Sequence, residues 1–291
     1  KKMNGFLLVD KPAGWTSSDV VSYLKKKFNL HKCGHTGTLD PQVTGLLVVG
    51  CNQATKLMKY LNEHDKEYLT TICFGYDSTT LDWDGTITEE LTMNVDQKAL
   101  DQALAILAAK TEQIPPLVSA IKVNGIKLYE YQRKNESVSV LPRPVFIRKI
   151  ETLSDLYIED GHAHIDLRIV CSKGFYVRAF ARDLGQLLGG KAIMKRLRRI
   201  QSGFFSLEDA KPLKEITEDD LLPIQAVFPD FATLYADDFL AHLVYNGVVL
   251  DERQIQTDKP FYIVHKNVII AIYEVIGHNR YKPLVIFKEN R

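Results

Sequence analysis

The chain has 291 residues, 45% apolar and 25% charged, a balance that buries a sizeable core and suits an ordinary water-soluble globular protein with one large domain and a small one. A net charge of +1 and a pI near 7.8 exclude an evenly basic surface, so any nucleic-acid role has to come from where the charge collects. No apolar run approaches the roughly 18 residues of a membrane span, the first eight residues carry no signal-peptide pattern, and Cys33, Cys51, Cys73 and Cys171 form no C-x-x-C pair, so the expected setting is the cytoplasm, with free thiols and no disulfide framework or cysteine zinc site.

Residues 6–9 form a short apolar strand that Asp10-Lys11-Pro12-Ala13-Gly14 breaks into a loop. A helix follows, with Ser17 or Ser18 as its cap, Asp19 in its first turn, and Val20, Leu24 and Phe28 at helical spacing. Residues 33–44, rich in Gly, Thr, His and Asp, show neither period and read as a loop that delivers polar groups beside the buried strand 46–49. Residues 68–76 predict a strand and 94–110 an amphipathic helix with Leu100, Leu104 and Leu107 on one face; an acidic, turn-rich loop lies between them. The alternation of Ile165, Leu167, Ile169 and Cys171 predicts a half-buried strand ending at Ser172-Lys173-Gly174, and a helix over 176–188 stops at Gly189-Gly190.

Helices and strands mix without a βαβ repeat, which points to an α+β domain over residues 1–230 with a mixed, largely antiparallel sheet flanked by helices. The stretch 212–230 is acidic and carries Pro212, Pro223 and Pro229. After about residue 235 the pattern turns to short β-type runs such as 261–264 and 284–287, predicting a small all-β module over 236–291.

Charge collects in two places. Between residues 122 and 149, Lys122, Lys127, Arg133, Lys134, Arg143, Arg148 and Lys149 face only Glu130 and Glu136, with Tyr129 and Tyr131 interleaved; Lys191, Lys195, Arg196, Arg198 and Arg199 form a second cluster with no acid among them. Either could be a solvated face, but two local positive surfaces on a neutral chain suit a polyanion that touches a defined side.

The segment Gly34-His35-Thr36-Gly37-Thr38-Leu39-Asp40-Pro41-Gln42-Val43-Thr44-Gly45 places a carboxylate, an imidazole and flexible glycines at a loop-to-strand junction. From chemistry alone it is an active-site loop or an elaborate turn. It resembles the G-H-T-G-x-L-D-P-x-A-T-G motif around the catalytic aspartate of the TruB pseudouridine synthases, with Val43 in place of the usual alanine. Four further segments resemble that family's motifs in order: Asp10-Lys11-Pro12 with Gly14, Ser17 and Ser18; Pro115-Pro116 through Ser119, Ala120, Lys122 and Gly125 to Leu128-Tyr129-Glu130; Cys171-Ser172-Lys173-Gly174-Phe175-Tyr176-Val177-Arg178; and Leu197-Arg198-Arg199.

The resemblance implies the pseudouridine synthase fold with a small C-terminal β-rich PUA-like domain that binds RNA, and the isomerisation of a uridine in the T-loop of tRNA, at position 55. It implies no cofactor or metal, and tRNA, through its T-loop and T-stem, as the partner of a monomer that needs no protein partner and has no tie to a membrane. Among residues it implies Asp40 as nucleophile or base, Arg178 as the arginine that steadies it through charge-assisted hydrogen bonds, and Tyr68 as the tyrosine that stacks on the uracil, the alternative being a strand tyrosine packed in a core.

Leu197 would be an apolar wall, His35 the filler of the space that the extruded base leaves, and Asp82 either a member of the polar network or a solvent-facing turn acid. Residues 124–149 take the place of the family's thumb, a loop expected to order against RNA; Lys122, Lys127, Arg143 and Lys173 are its and the rim's RNA contacts. Other readings are a guide-RNA-dependent enzyme acting on ribosomal RNA, and a tRNA-binding or tRNA-folding protein without catalysis. A zinc site at His31, Cys33 and His35 lacks a fourth ligand, and a hydrolytic triad of Ser17, His35 and Asp40 lacks its G-x-S-x-G elbow.

Overall fold

The computed structural model describes residues 3–134 and 137–288. Apolar alternation on both faces of the central strands decides the layering. In β1 (Gly5–Lys11) Leu7 and Val9 face one way and Phe6 and Leu8 the other; the next long strand repeats this with Leu47 and Val49 against Leu46 and Val48, all buried. A sheet that is apolar on both sides needs two covers.

One cover is helical: α1 (Ser17–Lys27), α2 (Gln97–Ala108) and α3 (Val177–Leu187), whose Val20, Leu24, Leu100, Leu104, Phe180 and Leu184 share one core with the sheet. Thr16 caps α1, not Ser17 or Ser18 as expected: its hydroxyl accepts the Asp19 N–H at 3.0 Å while the Asp19 carboxylate accepts the Thr16 N–H at 2.9 Å. This capping box leaves the Ser17 hydroxyl free to bind elsewhere.

The sheet is ten-stranded and mixed. Its strands include β2 (Cys33–Thr36), β3 (Thr44–Cys51), β4 (Lys66–Phe74), β5 (Ile147–Thr152), β6 (His162–Cys171), β7 (Ala192–Ser202) and β8 (Lys211–Pro212), with the main path β5-β6-β4-β7-β3-β1-β8 and β2 beside β3. All these pairs are antiparallel except β1–β8 and β3–β7. β2 corrects the expectation of an unbroken loop over 33–44: three of its four residues are half-buried, so no alternation marks it, and only its ladder to Cys51–Val48 makes it a strand. Asn135 and Glu136, part of the expected thumb, lie outside the described residues; around them the same stretch holds a hairpin of Lys122–Val123 with Ile126–Lys127, a helix Leu128–Arg133, and the start of β5.

The second cover is the C-terminal module, a five-stranded sheet in the order β9-β11-β12-β13-β10, from β9 (Ala232–Tyr235), β10 (Leu250–Asp251), β11 (Phe261–His265), β12 (Val268–Gly277) and β13 (Arg280–Ile286). It is not all β. Asp237 caps α4 (Asp238–Tyr245), whose Ala241 and Val244 pack on Phe261, Tyr273 and Tyr281; eight residues between two turn signals gave too short a pattern to read. Tyr262, Ile272, Val285 and Phe287 pack instead on Phe6, Leu8, Leu46 and Val48. At about 1.5–3 kcal/mol for each large apolar side chain removed from water, this seam welds the module to the sheet.

The β3–β7 contact is only two residues wide, and Gly45 sits in it with φ +106. A Cβ there would lie 2.2 Å from the Arg199 carbonyl oxygen and 2.7 Å from its nitrogen, and neither backbone atom can turn aside. Gly45→Ala is expected to destabilise the fold by at least about 3 kcal/mol, read as a lowered denaturant midpoint. A midpoint like that of the unsubstituted chain would show that the seam gives way.

Candidate active site

At the end of β1 and the start of β3 the chain 37–43 bends outward, and its backbone is held from several sides. The Ser17 hydroxyl, 1% exposed, accepts the Leu39 N–H at 2.9 Å and donates to the Leu39 carbonyl at 3.1 Å. Lys11, fully buried, donates from Nζ to the carbonyls of Pro12, Trp15 and Pro41. Arg199 Nη2 donates to the Gly37 carbonyl at 2.7 Å and its Nε to Leu46 at 2.8 Å. A turn bond from Val43 N–H to the Asp40 carbonyl closes the bend. The backbone at Asp40 is therefore fixed before any ligand arrives, which is what preorganised catalysis requires.

The Asp40 side chain remains 42% exposed and points to a cavity of about 270 Å³, near the roughly 300 Å³ lower end of ligand clefts. Asp40, Tyr68, Arg178 and Leu197 all line it, so four of the expected site residues meet there from the bend, β4, α3 and β7. Arg178 Nη2 lies 3.1 Å from the Asp40 carboxylate, and its Nε lies 3.7 Å from Asp82. The same guanidinium donates to the carbonyls of Thr80 at 3.0 Å and Val118 at 3.1 Å. A cation in the first turn of a helix opposes the helix dipole; two carboxylates and two carbonyls offset that cost here.

Asp82 is not a solvent-facing turn acid. Its side chain is 8% exposed, and Oδ1 accepts the Thr80 hydroxyl and the N–H groups of Asp84 at 3.1 Å and Gly85 at 3.2 Å, fixing the turn that also presents the Thr80 carbonyl to Arg178. The preceding Leu81 is held at φ 63, a costly conformation for leucine, by its carbonyl's bond to Met194 N–H at 3.1 Å.

Burial pushes the Tyr68 phenol up, against the pull of the Arg199 cation, so Tyr68 is a neutral ring that can stack and donate. Two lysines are lowered to about 8: Lys11 by burial, against the attraction of Asp40, and Lys66 by burial and then by Arg199. Lys66 and Arg199 line the cavity beside Tyr68; Tyr176, raised by burial, lines it too. Lys11, Lys66, Tyr176 and Arg199 were not singled out as site residues from the sequence, and Ser17 only as a member of the triad set aside there. Lys11, Ser17, Tyr176 and Arg199 do fall within the family-like motifs, which is the signal that could have found them.

His35 stands on β2, outside the cavity lining, with a buried Nδ1 that has no hydrogen-bond partner; burial lowers its imidazole, with Arg199 adding to the effect. The Ser17 hydroxyl is committed to Leu39, which removes it from any triad with His35 and Asp40. Lys173 lies on the rim between two lining residues and pairs with Glu63. Lys122, Lys127 and Arg143 are not brought to the cavity: Lys122 and Arg143 are exposed, and Lys127 Nζ lies 5.4 Å over the Tyr129 ring. Among the described residues no group of three or more His, Cys, Asp or Glu could hold a metal ion.

The second basic cluster is not the bare positive face that its sequence suggested. Lys191 pairs with Asp77, Lys195 with Glu159, and Arg198 grips Asp10 with two bonds, at 3.0 and 2.7 Å, while Arg199 is buried. Counting acids along the chain missed these partners because they arrive across the sheet.

Compared with known proteins, residues 25–177 match the model of the TruB family pseudouridylate synthase N-terminal domain. The tRNA pseudouridine synthase B of Aster yellows witches'-broom phytoplasma is 39% identical over 98% of this chain and all of that one, and the tRNA pseudouridine synthase B of Streptococcus pneumoniae is 37% identical over 98% and 100%. Among solved structures, an H/ACA RNP bound to a substrate RNA containing 2'-deoxyuridine superposes with a TM-score of 0.70 at 21% identity, covering 99% of this chain and 86% of the other. A Cbf5-Nop10-Gar1 complex gives 0.68 at 24%, covering 95% and 80%. At such identity these two speak for the fold, C-terminal module included.

Proposed function

This chain belongs to the TruB family of pseudouridylate synthases, and from that premise we propose that it isomerises a uridine in the T-loop of tRNA, at position 55, with the Asp40 carboxylate as its working group. The reaction breaks the bond from ribose C1' to N1 of uracil and forms one from C1' to C5; C5 gives up its proton and N1 gains one. Electrons balance, so no oxidant, metal or cofactor is invoked. What the site must supply is a fixed anion near sugar and base, and the single observation that carries the reading is the Asp40 carboxylate, 3.1 Å from Arg178, facing a cavity of about 270 Å³.

In this reading Arg178 and Asp82 orient Asp40, Tyr68 stacks on the uracil, Leu197 walls the far side, and His35 fills the gap left in the RNA. The cavity admits a nucleoside but no helix, so the target base has to leave its stack, at a cost of a few kcal/mol. Lys122, Lys127, Arg143 and Lys173 contact the RNA backbone from the thumb, over 124–149, and from the rim. The catalytic unit spans residues 1–230 and the PUA-like unit 236–291; the protein works as a cytoplasmic monomer without a protein partner. No helix among the described residues is long and apolar enough to cross a membrane. Relatives named for tRNA at 36–39% identity favour tRNA over a guided ribosomal substrate, since the particle structures at 21–24% speak only for the fold.

The direct test is to incubate the purified chain with an unmodified tRNA transcript and map pseudouridine chemically. One new pseudouridine in the T-loop is the expected product. Its absence, or its appearance only elsewhere, refutes the assignment.

A further inference from the structure

A folded tRNA is far larger than the cavity at Asp40, and a second cavity bears on how the rest of it is held. At the seam between the large sheet and the C-terminal module lies a space of about 820 Å³. His31 and Lys32 enter its wall from the chain just before β2, Gln53 and Lys56 from the turn after β3, and Lys288 from the chain just after β13. Lys32, Lys56 and Lys288 are exposed, and none of them makes an ion pair among the described residues. Glu218 is the one carboxylate among the described lining residues.

The wall is built, not draped. Lys56 Nζ donates to the Ile286 carbonyl at 2.7 Å, and Gln53 Nε2 to the Lys288 carbonyl at 2.7 Å, so bonds between the two modules fix the Lys56 ammonium and the backbone that carries Lys288. The three ammonium groups stand close enough that Lys56 is held below its usual value, by burial first and then by Lys32 and Lys288. Three like charges gathered around a cavity with one carboxylate among its described lining residues repel one another in the free protein and are relieved by a bound polyanion.

We propose that this seam cavity is a second RNA contact, which binds backbone phosphates of the substrate tRNA outside its T-loop. The inference rests on the tRNA reading above. β2 links the two places: Lys32 and Gly37 flank its four residues, five residue steps apart, about 17 Å at roughly 3.3 Å per residue. A T-loop seated at Asp40 thus extends its stem along the β2 edge toward the three lysines. The C-terminal module then serves RNA binding directly, since it supplies Lys288 and, through its carbonyls, the fixed position of Lys56.

The test uses the full chain and the triple variant Lys32→Glu, Lys56→Glu, Lys288→Glu, titrated over a range of salt with whole unmodified tRNA and with a hairpin cut down to the T-loop and its first closing pairs. For whole tRNA, affinity is expected to fall at least about tenfold, and the slope of log affinity against log salt to shrink by about 2 to 3. Pseudouridine formation in the short hairpin is expected to stay within about twofold. The milder pair Lys32→Gln, Lys288→Gln leaves the Lys56 bond intact, and should give a smaller loss in the same direction with an unchanged melting temperature.

Unchanged tRNA affinity and slope overturn the proposal, as does an equal loss on the short hairpin. A small free anion as the true occupant would show as millimolar inorganic phosphate raising the melting temperature of the unsubstituted chain only, with tRNA binding the same in both; that too overturns it. Failure of the tRNA-modifying reading shows separately, as no pseudouridine in either RNA with the unsubstituted chain.

Discussion

Asp40→Asn is expected to lower pseudouridine formation at least about 10³-fold while whole-tRNA affinity changes by less than about threefold. Asparagine keeps the shape of the side chain, and the bend that carries it is fixed by groups other than its carboxylate: Ser17 at Leu39, Lys11 at Pro41 and Arg199 at Gly37. The 42% exposure of Asp40 means that its charge is partly solvated and adds little to stability, so the variant folds. What disappears is the anion itself, and an amide neither attacks a sugar carbon nor takes up a proton from uracil. Single-turnover kinetics separate the two effects: the rate constant falls while half-saturation holds. A tRNA affinity lost in step with the rate would mean that the carboxylate serves binding, and turnover within tenfold of the unsubstituted chain would remove Asp40 from the chemistry.

This division of labour explains which parts of the site could be read from the chain. The two residues proposed for the central roles, Asp40 and Arg178, lie in short contiguous motifs, Gly34 to Gly45 and Cys171 to Arg178, so their grouping survives as sequence. The long amphipathic helices α2 and α3 were equally legible, because periodic burial on one face leaves a pattern. The groups that hold the site act at a distance that no local pattern records. Ser17 reaches Leu39 across 22 positions, Arg178 reaches the Thr80 carbonyl across 98, and Arg198 reaches Asp10 across 188.

A buried lysine such as Lys11 reads as a surface charge until three carbonyls are found around it. The cluster of Lys191, Lys195 and Arg198 reads as a phosphate grip until Asp77, Glu159 and Asp10 arrive from other strands. The reverse holds at the seam. Lys32, Lys56 and Lys288 are scattered along the chain and make no run, yet the fold gathers them around one cavity with no ion-paired acid among the described residues. The fold and the grouping of the candidate site were thus legible where they were local, and electrostatics was not, because a charge means nothing until its neighbours are placed.

The second large effect is expected at Arg178, and it falls on stability as well as on rate. Arg178→Met removes the cation between two carboxylates of unequal exposure. Asp40, 42% exposed, keeps its water, but Asp82, 8% exposed, is left as a nearly buried charge, and the carbonyls of Thr80 and Val118 lose their donors. Breaking a buried pair from one side costs roughly 3–5 kcal/mol, so the denaturation midpoint is expected to fall steeply. Activity falls at least about 10²-fold, because Asp40 is no longer oriented. Adding Asp82→Asn in the same chain removes the stranded charge and is expected to restore about 1–2 kcal/mol of stability with no gain in rate. Arg178→Lys keeps the charge, yet one ammonium cannot reproduce a planar fork that serves two carbonyls and two carboxylates, so it should hold most of the stability and little of the activity. The decisive comparison is therefore between stability and rate across these three chains. If Arg178→Met melts like the unsubstituted protein, the Asp82 charge was never sequestered; if Arg178→Lys turns over normally, positive charge alone suffices and the fork geometry plays no part in aligning Asp40.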